Sequence, residues 1–360
     1  MSVFKEIRKE LNNGFPEREA LVDGLLSALL AKSTLFILGP PGTAKSLICQ
    51  TLCKAIEGKY FSWLIGKFTP PEELFGPPSF SSIKQDKYER ITTGKLPEAD
   101  IGFLDEIFKG SSAILNSLLT LINERVFYNG DKAIKTPLQC VIGASNELPQ
   151  GEELAALYDR FVLRYEVGYL KDDKNIANVI SGNASCNLPK ITKADLAKEQ
   201  AAAAAVKVSD EIIALILKIR AEVNSLGLSV SDRKFSQALS IIKAYAHLNG
   251  NTEVTNDDLD ILENILWSTP EQRPTIRKAV NKYSNPVGAK ILAITDAVAA
   301  VEADLDNVGR SGLVEVLDKV KNAANSLKKL GNKSDNPKLK KAIEYVESVQ
   351  TRIVTEKLIG

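Results

Sequence analysis

One histidine, His247, and one methionine serve all 360 residues, and the four cysteines are scattered. A zinc site wants four nitrogen or sulfur ligands, so Cys49 and Cys53, four apart on one helical face, lack the partners for one. Three of the cysteines sit in apolar runs. With Cys186 they read as reduced thiols of a cytosolic protein, not as a disulfide framework. Excess charge is missing too: 46 Lys and Arg meet 45 Asp and Glu, leaving +1. Proteins of duplex DNA or anionic membranes carry a basic excess, so any attraction to polyanions must be local or directed at a small ligand. Nor is there a long apolar run. Residues 25–31 end at Lys32, far short of the roughly 20 residues that span a bilayer, and no targeting segment is visible. The expectation is a cytoplasmic protein with no membrane span.

What is present is an ordinary globular mixture, 44% hydrophobic and 25% charged, which excludes wholesale disorder. At roughly 100–200 residues per domain, the length predicts two or three domains. Residues 1–170 alternate β-like runs (34–38, 59–63, 101–104, 138–144 and 162–167) with helical ones. Several of these runs are apolar without alternation, as strands buried on both faces should be. They predict an α/β domain with a five-stranded parallel sheet flanked by helices. A turn-rich stretch from Phe75 to Gly94 interrupts the pattern and reads as an inserted loop or hairpin. Over 171–272 the strand signals stop; 191–224, 232–247 and 256–266 read as helical, making an all-α second domain. A third region, 273–360, carries two Asn-Pro helix starts, at Asn285 and Asn336. Its apolar residues recur at three-four spacing in three helices, from Ile291 to Ile353, and predict a helical bundle.

The strongest local signal is Gly39-Pro40-Pro41-Gly42-Thr43-Ala44-Lys45-Ser46, directly after an apolar strand and opening a helix. In that context such a loop wraps phosphates with backbone N–H groups and the helix N-terminus. Lys45 would reach the β- and γ-phosphates of ATP, and the Ser46 hydroxyl would hold Mg²⁺. Ala44 stands where the usual form has a second glycine; it is expected to take the geometry of a first helical turn. Sixty residues after Lys45, the run 101–104 ends in Asp105-Glu106. A carboxylate at a strand's carboxyl end can reach a metal bound beside the loop. Asp105 is then the Mg²⁺ partner and Glu106 the group that polarises the attacking water. Asn146, at the tip of the next β-like run, can orient that water. Arg160 follows in Leu157-Tyr-Asp-Arg-Phe161, just before the fifth run. Arg233 opens a later helix, where the helix dipole prefers acids; an anionic ligand nearby would remove the conflict.

Together these segments resemble the AAA+ ATPases, and more closely the MoxR family, particularly its RavA-like members. The resemblance runs from about Gly14 to Trp267. It includes 88–99, Phe103-Leu-Asp-Glu-Ile107, 114–125, Ala144-Ser-Asn-Glu-Leu-Pro149 and Ala156-Leu-Tyr-Asp-Arg-Phe161. It implies that residues 39–46 are Walker A and Asp105-Glu106 Walker B, and that Asn146 is sensor 1. It further implies that Arg160 is an arginine finger offered to a neighbouring subunit, with Arg164 the runner-up. Arg233 looks like sensor 2 on a helical lid, facing the phosphates of its own subunit beside Lys45. Residues 75–95 match the family's insert and 126–137 its hairpin before sensor 1. The family implies a ring, commonly a homohexamer, that remodels or assembles client proteins, with a von Willebrand A-type partner a reasonable expectation. RavA-like proteins carry a β-rich projection after the lid; here the helical pattern runs on without one.

Two other readings fit the same motifs: a nucleotide-gated scaffold with incidental turnover, and a DNA-handling motor. Glu106 and Arg160 argue against the first and the balanced charge against the second. Eight lysines between Lys319 and Lys341 keep a local basic patch in view, but no aromatic residue interleaves those lysines for base stacking.

Overall fold

A computed structural model describes residues 3–182, 186–228, 230–303, 305, 310–331 and 337–353. The five apolar runs all become strands: β1 (Thr34–Leu38), β2 (Tyr60–Leu64), β3 (Ile101–Asp105), β6 (Cys140–Ser145) and β7 (Leu163–Glu166). They form one sheet in the order β2-β3-β6-β1-β7, with every neighbouring pair parallel. β1 and β6 are buried along their full length, which is why their sequences do not alternate. The remaining strands, β4 (Val126–Asn129) and β5 (Lys132–Lys135), pair antiparallel as the hairpin expected over 126–137. Residues 75–94 form an insertion in which Pro78 bridges Arg90 around a short helix, Phe80–Ile83.

One face of the sheet packs on Phe36, Phe75, Leu104, Ile114, Leu118 and Phe161, among others, in a single apolar core. The helix Glu19–Leu30, buried along most of its length, contacts β1 and β7 and the long helix Asp232–Asn249. A Cβ at Gly24 would lie 2.3 Å from the Tyr165 ring of β7, so only glycine permits that approach. The N-terminal helix Val3–Gly14, which the sequence reading did not single out, buries Phe4, Ile7 and Leu11 at three-four spacing.

The helical stretch expected over 191–224 is broken in two, Lys193–Ala204 and Asp210–Ser225. The break is local chemistry: the Thr192 hydroxyl caps Asp195 N–H and the Ser209 hydroxyl caps Ile212 N–H, each satisfying an orphan donor of a new helix. Residues Asn256–Asn264 wind as a 3-10 helix with a Thr255–Asp258 capping box.

The chain divides into two compact units, 1–276 and 277–360. In the second, the helices Pro286–Ala303, Arg310–Gly331 and Pro337–Arg352 surround their own apolar core, which includes Val298, Val320, Leu327, Val346 and Ile353. Of the basic stretch, Lys319 pairs with Glu315 and Lys328 with Glu347, so part of its charge is answered locally. Lys333 and Asn336 lie outside the described residues, as does Leu358.

Candidate nucleotide site

Because β6 lies between β1 and β3, the carboxyl ends of three strands stand side by side, and each delivers one motif. Gly39 leaves β1, its N–H donating to the Ser145 carbonyl of β6 at 3.1 Å. A Cβ at Gly39 would sit 2.2 Å from the Val167 carbonyl, so glycine is required there. The loop closes through the Thr43 hydroxyl, which donates to Pro40 O at 2.9 Å. At Gly42 an added Cβ would meet nothing within 4 Å, which leaves a concave loop of backbone open to a ligand.

Ala44 departs from the sequence expectation. It does not begin the helix; it is the residue before Lys45–Ala55, with φ 64° and ψ 21°. That is the left-handed region, where an L side chain is strained, and it explains why this position usually carries glycine. Its methyl is exposed.

Lys45 is buried, and its ammonium spends all three donors: Gly39 O at 2.5 Å, Pro40 O at 2.9 Å and Asn146 Oδ1 at 3.1 Å. Burial pushes its pKa down, and the nearby Asp105 and Glu106 carboxylates partly offset this. Asn146 completes a relay by donating from Nδ2 to Glu106 Oε1 at 2.6 Å. Glu106 itself is 8% exposed and left-handed, φ 52°. Its Oε2 lies 3.2 Å from Lys109 Nζ without hydrogen-bond geometry, so this buried oxygen has no hydrogen-bond partner among the described residues. Asp105 Oδ1 accepts the Glu106 N–H at 3.0 Å, which turns the two adjacent carboxylates in different directions. Ser46 is exposed in the first turn of the helix.

Beside the loop opens a cavity of about 720 Å³, bounded by Gly42–Ala44 on one side and by Phe15, Pro16, Leu47, Tyr169 and Val179. An apolar slot against a phosphate loop suits a flat heterocyclic base. Sequence reading missed these residues. They come from three segments distant in sequence, which no local pattern links.

Two arginines stand elsewhere. The Arg160 carbonyl accepts from the Thr34 hydroxyl at 2.6 Å. Thr34 begins β1, whereas the phosphate loop follows its end. At about 3.3 Å per residue, the two lie about 16 Å apart. The Arg160 guanidinium makes only a 3.4 Å bond to Ala156 O, and its buried Nε has no hydrogen-bond partner among the described residues. Burial, then repulsion by Arg233, lowers its pKa. Arg233 is thus near enough to Arg160 to repel it, and its neighbour Lys234 reaches Asp159, the residue before Arg160. The reason is packing: its helix, Asp232–Asn249, lies along Glu19–Leu30 with its first turn against the end of Glu152–Asp159. Arg164, the runner-up, is 1% exposed. It is consumed by bonds to Trp267 O, Tyr158 O and Phe161 O and lies over the Tyr158 ring at 3.8 Å, so it is a strut inside one subunit.

Comparison with known proteins bears on the family and the fold. Residues 2–206 match the model described as the MoxR domain in the MoxR-vWA-beta-propeller ternary systems, and 211–280 match an AAA lid domain. The chain is 36% identical to an uncharacterised protein of Methanocaldococcus jannaschii, across 96% of this chain and 95% of that one. It is 28% identical to the chaperone MoxR1 of Mycobacterium tuberculosis over 160 residues, 42% of this chain and 41% of the other. In fold it resembles a candidate ATPase of Cytophaga hutchinsonii, with TM-score 0.63 at 19% identity over 78% of this chain and 94% of that one. The RavA-like placing stands on the sequence resemblance alone. Among the described residues no helix is long and apolar enough to cross a membrane. With more than half its length matched by the family's own domain, its lid matched behind it, and the sheet to go with both, the chain belongs to the MoxR family of AAA+ ATPases.

Proposed function

We propose that this chain hydrolyses ATP with Mg²⁺ in a cytoplasmic homo-oligomeric ring and uses turnover to remodel or assemble client proteins; its net charge of +1 argues against a role on nucleic acid. The observation that carries the reading is the hydrogen-bonded relay Lys45–Asn146–Glu106 across three adjacent strand ends. The loop 39–44 and Lys45 would hold the phosphates, and the slot beside Tyr169 the base. Ser46 and Asp105 have the hard oxygen donors that suit Mg²⁺, which when bound offsets phosphate charge. Glu106, with a buried oxygen lacking a hydrogen bond, is placed to accept the proton of the attacking water. Asn146 fixes that carboxylate and links it to Lys45. The Arg160 carbonyl is held at the start of β1 and the phosphate loop follows its end, which supports a role for Arg160, with Arg233 near it, on the phosphates held by a neighbouring copy. Two like charges held together favour an anion between them. The matched family's description points to a von Willebrand A-domain protein as partner.

The test is complementation between two inactive proteins. Arg160→Ala should bind ATP normally and lose turnover by about 10³-fold or more, and Lys45→Ala should lose phosphate binding. Mixed, with subunit exchange confirmed by labelled subunits, they should regain partial turnover, because some interfaces pair an intact loop with an intact arginine. Exchange without recovery would refute the action across subunits.

A further inference from the structure

Lys234 follows Arg233 in the first turn of the helix Asp232–Asn249, and it is 4% exposed. Both facts are unfavourable: a buried ammonium loses hydration, and a cation opposes the helix dipole at that end. A methionine would fill similar space without either penalty. Lys234 Nζ lies 3.6 Å from Asp159 Oδ1, and Asp159 is the residue before Arg160. The Arg164 guanidinium of β7 lies 4.0 Å from the same oxygen. On its own helix, Asp232 is turned to Arg220 at 2.6 Å. Asp23, Arg8, Asp258, Asp260 and Glu199, also against this helix, belong to its far end, near Tyr245, His247 and Asn249. Burial, then repulsion by Arg164, pushes the Lys234 ammonium down to about 7, with Asp159 pulling the other way.

We infer that Lys234 is a positioning residue: through Asp159 it fastens the start of the lid helix to the end of the helix Glu152–Asp159, so that Arg160 and Arg233 are presented together to the neighbouring copy. The inference rests on the proposed role of Arg160. It adds that the start of the lid helix and the finger are held together by a buried lysine, beside the bonds from Arg164 to Trp267 O and Tyr158 O.

A mutant cycle on full-length protein decides it, with kcat and KM for ATP measured alongside Tm at pH 6. Lys234→Met should lower kcat at least tenfold and leave KM within twofold, since the phosphate loop lies at the other end of β1. Its Tm should rise, because a buried charge is gone. Asp159→Asn should lower kcat similarly. The double variant Arg160→Ala/Lys234→Met should be no slower than Arg160→Ala alone. A merely structural lysine would instead give a lower Tm and losses that multiply, and either multiplied losses or parental kcat in a folded Lys234→Met protein overturns the inference. Lys234→Gln is read the same way if the methionine variant does not fold. Parental kcat in Arg160→Ala would overturn the action across subunits and this inference with it; a slow Arg160→Ala with multiplied losses overturns this inference only.

Discussion

Ala44 and Glu106 are both non-glycine residues with positive φ, and both border the phosphate loop's chemistry. An alanine held left-handed costs about 1–2 kcal/mol, while glycine there costs about 0.4–1 kcal/mol through the freer unfolded chain. Ala44→Gly should therefore stabilise the protein by about 0.5–1 kcal/mol, visible as a Tm rise of about 2 °C. Had Ala44 been helical, the sign would reverse. With its methyl exposed, ATP affinity should change by less than about threefold (order of magnitude); a fall in Tm would contradict the strain. The strain at Ala44 was not legible from sequence, because a dihedral angle is set by where the loop must arrive. Lys45, Asp105, Glu106 and Asn146 were legible as candidates, because the last three follow apolar runs that read as buried strands and Lys45 closes a glycine-rich loop after another. The sequence favoured Arg160 over Arg164 without showing why; burial supplies a reason, with Arg164 locked to Trp267 and Tyr158 and Arg160 bonded weakly to Ala156.

The helix Asp232–Asn249 carries a pH signature. Lys234 binds its proton less tightly folded, at about 7, than unfolded, near 10.4. Between those values the unfolded chain holds more protons, so stability should rise with pH from about 7 upward; below about 7 the full penalty is present. Above about 9 the buried thiols Cys49, Cys53 and Cys140, all raised by burial, work in the opposite sense. Denaturant midpoints of parent and Lys234→Met at pH 7.0 and 8.5 isolate the lysine. The parent should gain on the variant across that interval, and parallel behaviour would show that Lys234 is not depressed. The helical character of 191–224 and 232–247 was legible from composition, but the break at the Ser209 cap was not. Nor was the docking of Asp232–Asn249 along Glu19–Leu30, since it depends on faces that meet only once the chain is folded.

The phosphate loop and carboxylates stand at one end of β1, and Arg160 is held at the other; under the proposed function, one copy holds half of each of two sites. The second unit, 277–360, brings its own apolar core, and we propose that it is a separable domain for partners. Deleting 285–360 should leave a cooperatively melting protein that binds ATP with affinity within about threefold of the parent (order of magnitude), because none of the site residues lies there. Loss of cooperative melting would show instead that the bundle completes the first unit's fold. Calorimetry with a nucleotide titration distinguishes the two.

Strand positions, the phosphate loop, the paired carboxylates and the three-helix seam follow from local pattern: apolar runs, turn residues and three-four spacing act over a few residues and leave their mark in order along the chain. The reach of Arg233, the burial of Arg164 and Lys234, the strain at Ala44 and the base slot do not. Each depends on segments far apart in sequence meeting at one place, and β1, only five residues long, separates the phosphate loop at its end from Arg160 at its start.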